Sequence, residues 1–536
     1  MLGCLIGVGL LVRLLRQPTI AGTYDGRLDE LLYAGQRLLE GQLLYDGLVN
    51  GSQPLAQLLY APSAWLGSLT AHRLVILAVN LLGGILLGRS LRRLGAAGLI
   101  LLRPDSLVPL LGGVLFLVFG QMFPGGLSGQ PVQFANAFLV LALHGISGLL
   151  LERPDRSPRR DGVELATVGA ALGLAVACNQ SLASPLLMVV VVVLLLVPRP
   201  LPRVVPLLAG GLAAVALAFL PYAVLPGGVP LAWAGAVQLP LELAGRRAPE
   251  GDRLLPLLGD VLATNVAGLP IWLLVAVPAL GLLNLTARQW RQPFQQVERV
   301  LVLPALALVF VLELLLSLQR TALEKGDLQL VVLPVLLVMA CGFGDMEVRP
   351  RTMRRIARVV MVAMLLIVLN NTLIASLLNA PRRPKAPVLA VEADRAAVRR
   401  YLAGLAPSDR RFTAPQDVAL QRQLRQPATT VGIGPEWSLN QQGLAASWAT
   451  RRLGLPTSIE GVCRQLTDQA NRHLVWMRTD PVGPNTEAFL LGCLGRPPRV
   501  WQDISDQLGL SSGQYRVFRR LAPQPRPAVG TVQPSS

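Results

Sequence analysis

The chain has 536 residues, 52% of them hydrophobic and only 15% charged, and its mean hydropathy is +0.50. That balance excludes a soluble globular protein of this size, which carries more charge and shorter apolar runs. The formal net charge of +18 does not indicate nucleic-acid binding. The basic residues are nearly all arginines in short loops between apolar runs, where they set membrane orientation.

In chain order, apolar runs predict spans at about 1–16, 71–88, 105–121, 133–151, 163–178, 182–198, 205–225, 257–283, 300–317, 328–344 and 359–379. Runs such as 182–198 and 300–317 approach the roughly 20 residues that a bilayer core requires. The expected fold is therefore an all-α polytopic membrane domain over 1–380, with about eleven helices. Arg13 interrupts the short first run, and no small-x-small cleavage site follows it. It reads as a truncated start or an uncleaved anchor rather than a cleaved signal.

Alternate loops separate by charge. Arg89, Arg92 and Arg93 lie in one set, with Arg153, Arg156, Arg159 and Arg160, then Arg199 and Arg203. Arg288, Arg291 and Arg299 continue it, and Arg349 to Arg358 close it. The other set (17–70, 122–132, 179–181, 226–256, 318–327) is acidic or nearly uncharged. The positive-inside rule places the first set and the N-terminus in the cytoplasm. The 17–70 loop and everything after 380 are then extracytoplasmic, which implies a multi-pass protein of a bacterial inner membrane with a periplasmic C-terminal domain.

Residues 381–387 form a proline-rich linker expected to be extended. Residues 388–522 have the composition of a soluble domain. Helical patterns at 392–405, 441–453, 458–470 and 485–493 alternate there with apolar stretches at 429–433, 473–478 and 514–519, so a small α/β domain is expected. The tail 523–536 is proline-rich and expected to be disordered. Cys463 and Cys493 both fall in this domain and would be free to form one disulfide outside the cytoplasm. Cys4, Cys178 and Cys341 sit in or beside apolar runs and read as small buried hydrophobes.

The chemistry-bearing segment is the first outside loop, with interfacial helices expected within 17–70. From Arg27 to Glu40, Leu28, Leu31, Leu32, Leu38 and Leu39 form an apolar side at helical spacing. Asp29, Tyr33, Gln36 and Glu40 recur on a polar side, so the helix is expected to lie in the membrane interface. Asp25, Asp29 and Glu30 cluster at its start. Favourable electrostatics at a helix N-terminus would select the same residues without any catalytic role. Glu313, an acid inside a span, is costly unless it pairs with an arginine or faces a cavity.

The string DELLYAGQRLLEGQLLYDG, then QPLAQLLYAP, then AHRL, resembles the first outside loop of GT-C membrane glycosyltransferases, specifically the protein O-mannosyltransferase and aminoarabinose-transferase group. The matching positions are the acidic pair Asp29-Glu30, Tyr33-Ala34, Gly41, Tyr45-Asp46, Pro54 and Arg73. The resemblance covers residues 1–380 in layout and 13–75 in motif. It implies transfer of a sugar from a polyprenyl-phosphate donor to an acceptor hydroxyl or similar nucleophile, and it allows a divalent metal ion. The implied partners are the lipid bilayer, the lipid-linked sugar and an acceptor (an envelope glycan, a lipid or a protein). Within that frame Asp29 is the general base, with Glu30 or Asp25 orienting the acceptor or Asp29 itself. Arg320, Lys325, Arg246 and Arg247 are candidates for binding the donor phosphate. Tyr33, Tyr45 and Asp46 would position the acceptor or the loop. The sequence departs from the family at Asp327-Leu328, where relatives carry His-Tyr, and at Asn179-Gln180, where a Lys is common.

A transporter or flippase of a lipid-linked substrate is the alternative. It would show internal repeats and broken helices at the midplane, and its outside loops need no acid cluster.

Overall fold

The computed structural model describes residues 26–45, 53–67, 69–122, 130–151, 158–196, 201–224, 226–246, 297–320, 329–370, 386–414, 417–425, 447–468, 470–477, 490–495 and 500–521. The chain divides into two compact units. One comprises 1–39 with 51–383, the other 40–50 with 384–536.

The first unit is helical. Helices α1 (Gly26–Leu39) and α2 (Pro54–Leu66) precede the long α3 (Leu69–Ala96). Then come α4 (Val108–Met122), α5 (Pro131–Leu149), α6 (Pro158–Cys178), α7 (Ala183–Leu196) and α8 (Leu201–Ala223). Short helices α9 (Gly228–Trp233) and α10 (Leu239–Arg246) flank a π-helical turn, Ala234–Gln238. Helices α11 (Val297–Arg320), α12 (Val332–Val348) and α13 (Arg351–Leu369) complete the unit. Among the described residues, six helical segments are long and apolar enough to cross a membrane: Ala71–Ala96, Pro131–Leu149, Asp161–Cys178, Pro202–Ala223, Leu301–Leu318 and Gln329–Val348. The expected spans 1–16 and 257–283 lie outside the described residues.

Lipid tails are as apolar as leucine, so these helices need close packing rather than hydrophobic burial to hold together. Glycines supply it. A Cβ on Gly169 of α6 would lie 1.8 Å from the Leu207 carbonyl oxygen of α8, and one on Gly173 would lie 2.3 Å from that of Gly211. The antiparallel α3–α4 pair uses the same device, with Gly84 against Gly113 and Gly88 against Pro109. Both helix pairs therefore meet backbone to backbone.

The second unit contains α14 (Ala386–Gly404), β1 (Phe412–Thr413), α15 (Val418–Gln423), α16 (Trp448–Arg452), α17 (Ile459–Leu466), β2 (His473–Met477), β3 (Trp501–Asp503) and β4 (Tyr515–Arg520). The sheet order is β1-β2-β4-β3, with β1 and β2 parallel and the other pairs antiparallel. Helix α14 starts at Ala386, inside the segment expected to be an extended linker, because Pro387 fits a first helical turn. Strand β2 is central and buried along its length. Its alternate residues feed two cores: Val475 and Met477 pack with Val398, Leu402 and Phe412, while Leu474 and Trp476 pack with Val462, Leu466 and Leu490. Period-two alternation with both faces covered produces this arrangement. A disulfide joins Cys463 to Cys493 beside the second core. Cys178 and Cys341 are free and buried in the helical unit.

Candidate functional site

The site is built where α1 and α2 lie against the helical bundle. Pro54 opens α2, where its missing N–H costs nothing, and Gly67 closes it at φ 62°. Gly35 then lets α1 press onto α2: a Cβ there would stand 2.7 Å from the Tyr60 carbonyl carbon. Gln57 Nε2 donates to the Ala34 carbonyl at 3.1 Å across the same contact. Leu28, Leu31 and Leu32 consequently join the main core. Tyr33, expected on the polar side, is fully buried, whereas Leu39 is exposed. The reason is that α2 covers the Tyr33–Gly35 side, which amphipathic spacing alone did not anticipate.

Asp29 sits in the first turn of α1, and both it and Glu30 are half-buried. The N-terminal dipole favours a carboxylate there. Along the same end of the bundle runs a layer of buried and half-buried polar side chains. His72 Nδ1 lies 2.9 Å from Ser63 Oγ, and its ring stacks on Tyr60 at 5.1 Å between centroids. Arg73, the next residue, is buried too. Gln53 Nε2 donates to Gln180 Oε1 at 3.0 Å and to the Ala236 carbonyl at 3.1 Å. Asn179 accepts from the Ser181 amide and so caps the turn that presents Gln180. Asn136 Nδ2 reaches the Gln329 carbonyl at 2.9 Å, and Gln133 Nε2 reaches that of Gly120. Ser184 Oγ donates to the Glu313 carboxylate. The in-span acid therefore has a hydroxyl partner.

These groups suit the recognition of hydroxyls and phosphate oxygens: amides that donate and accept, a guanidinium that only donates, and carboxylates that only accept. Among the described residues no three His, Cys, Asp or Glu side chains come together to hold a metal ion.

The other expected site residues fall as follows. Tyr45 is buried in the second unit at φ 74°, a left-handed conformation unusual for a residue with a side chain. Gly41, at φ 85°, needs the same region and adopts it without strain. Asp25, Asp46, Arg247 and Lys325 lie outside the described residues. Arg246 and Arg320 end described helices, but their side chains lie outside the description. The residues that sequence reasoning missed are Gln53, Gln57, His72, Asn136 and Ser184. A polar side chain at the start of an apolar run is the signal that marks His72, Asn136 and Ser184, and it is weak because such positions also flank ordinary spans.

No protein-family model matches the chain, and no curated protein sequence does. Solved structures do. The crystal structure of ArnT from Cupriavidus metallidurans bound to undecaprenyl phosphate matches with a TM-score of 0.53 at 14% identity, over 97% of this chain and 99% of that one. The apo structure of the same protein matches at 0.54 and 15%, over 97% and 98%. The chain thus shares the fold of that protein along nearly its whole length.

Proposed function

We propose that this protein transfers a sugar from a polyprenyl-phosphate carrier to an acceptor nucleophile at the outer face of the membrane. The observation that carries the reading is the coincidence of two independent likenesses. The first-loop motif resembles that of lipid-linked sugar transferases, and the whole chain matches the fold of a protein solved with undecaprenyl phosphate bound. The disulfide of the second unit supports an extracytoplasmic location for that unit, because such bonds persist in oxidising compartments.

The proposed chemistry is a single inverting displacement. The acceptor oxygen attacks the anomeric carbon while its proton passes to the Asp29 carboxylate. The bond from that carbon to the phosphate oxygen breaks, and polyprenyl phosphate leaves with the electron pair. A cation must stabilise the growing phosphate charge. Arg73, buried beside His72, joins Arg320, Lys325, Arg246 and Arg247 as a candidate. Glu30 or Asp25 keeps the proposed role of orienting the acceptor or Asp29, and Tyr33, Tyr45 and Asp46 that of positioning the acceptor or the loop.

The test is turnover of a panel of polyprenyl-phosphate sugars by the purified chain in lipid. Asp29→Asn should lower turnover by about 10²- to 10⁴-fold, the usual contribution of a general base, while donor binding persists. Undiminished turnover in Asp29→Asn would remove the base assignment. Movement of the donor across the bilayer with no glycosyl transfer would replace the transferase reading with a flippase.

A further inference from the structure

At the other end of the bundle, the seam between α3 and α4 opens into a groove of about 250 Å³. Leu81, Leu110, Val114 and Leu117 line its length, and Arg89 and Arg92 stand at one end. Both arginines are exposed, and among the described residues neither has a carboxylate partner. Their neighbours are engaged. Arg93 bonds His144 Nε2 at 3.1 Å, Arg103 and Arg358 share Asp105, and Arg349 binds Asp345 at 2.7 Å. Two guanidinium groups with no carboxylate partner among the described residues thus border an apolar trough.

Length and position agree with a lipid. From Leu81 to Arg92 a helix rises about 16 Å at 1.5 Å per residue, close to the roughly 15 Å of one leaflet's hydrocarbon. The arginines lie in the last two turns of α3, where long basic side chains reach the headgroup level. Basic pockets between membrane helices attract anionic headgroups.

We propose that this groove binds one anionic phospholipid, with its phosphate held by Arg89 and Arg92 and one acyl chain laid along Leu81 to Leu117. A zwitterionic lipid carries its own cation beside the phosphate and leaves the paired arginines less well neutralised. The proposal is independent of the catalytic reading, because none of these residues belongs to the site at the α1–α2 end.

The experiment uses the full chain in bilayers doped with photoactivatable phosphatidylglycerol or phosphatidylcholine, followed by peptide mapping. The anionic probe should label 81–92 and 109–117 about tenfold more than the zwitterionic one. Arg89→Gln with Arg92→Gln should bring that labelling down to the zwitterionic level. Leu110→Trp, which fills the trough, should lower labelling with the arginines intact. Equal labelling by the two probes in the unaltered chain, or undiminished labelling of the double variant, would overturn the proposal. Displacement of the anionic probe by polyprenyl phosphate would also overturn it and assign the groove to the carrier.

Discussion

The two units hold themselves together by different means. In the helical unit the decisive contacts are backbone on backbone, with Gly169 and Gly173 under the carbonyls of Leu207 and Gly211. In the second unit they are side chains: two apolar cores on either face of β2, a disulfide, and a buried ion pair. Burial against water drives the second arrangement, whereas lipid offers no such gain and leaves close packing and hydrogen bonds to do the work. The hydrophobic residues of the helical unit therefore say where it resides, and its glycines say how it is assembled.

Breaking the comparison at its strongest point means adding a side chain where backbones touch. Gly169→Leu should prevent α6 and α8 from docking, since nothing flexible lies in the way of the new atoms. The largest effect expected is loss of the folded helical unit in an SDS-titration assay, with the second unit's hydrogen-exchange protection intact. Next is Asp417, fully buried and bonded to Arg395 Nε at 2.9 Å and to the Tyr515 hydroxyl. Burial works against the Arg395 charge, but the Asp417 carboxylate and the Tyr515 oxygen together outweigh it and raise the guanidinium's proton affinity. Asp417→Asn strands that cation, and a cost of about 3–5 kcal/mol to the second unit is expected from denaturant unfolding.

Removing the disulfide by Cys463→Ser with Cys493→Ser opens a loop whose ends are 30 residues apart. Loop entropy sets the expected loss at roughly 3–4 kcal/mol. A reductant should produce the same loss in the unaltered chain, and it should leave α3 to α8 unchanged. The smallest effect concerns His473, at the start of β2, whose Nε2 lies 3.0 Å from the Tyr401 hydroxyl. Burial pushes its imidazole below the ordinary value. The folded state then holds fewer protons than the unfolded one once the pH drops below about 6.5. Stability is complete above that value and declines as the solution is acidified towards the folded pKa. Amide exchange of β2 should quicken over that window, and His473→Gln should flatten the trend.

Much of the architecture was legible in one dimension. The apolar runs at 133–151, 163–178 and 300–317 coincide with α5, α6 and α11, and the stretches 473–478 and 514–519 with β2 and β4. Strands β1 and β3 are too short to carry a pattern, so pairing alone defines them. The packing glycines escaped notice even though Gly169 and Gly173 are four apart, because small residues are common in any apolar run. In the site, the acidic start of α1 was visible as a motif. The burial of Tyr33 was not, since it depends on α2 arriving over Gly35.

What the sequence settled by itself is the solvent of each part: hydropathy is a sum over neighbours along the chain, and it needs no fold to be evaluated. Which polar groups meet is a different quantity. Gln53 bonds Gln180 across 127 positions, and Asn136 bonds the Gln329 carbonyl across 193. No local pattern encodes such partners. Only helix packing, by excluding water from these groups and making an unpaired amide costly, decides who answers whom.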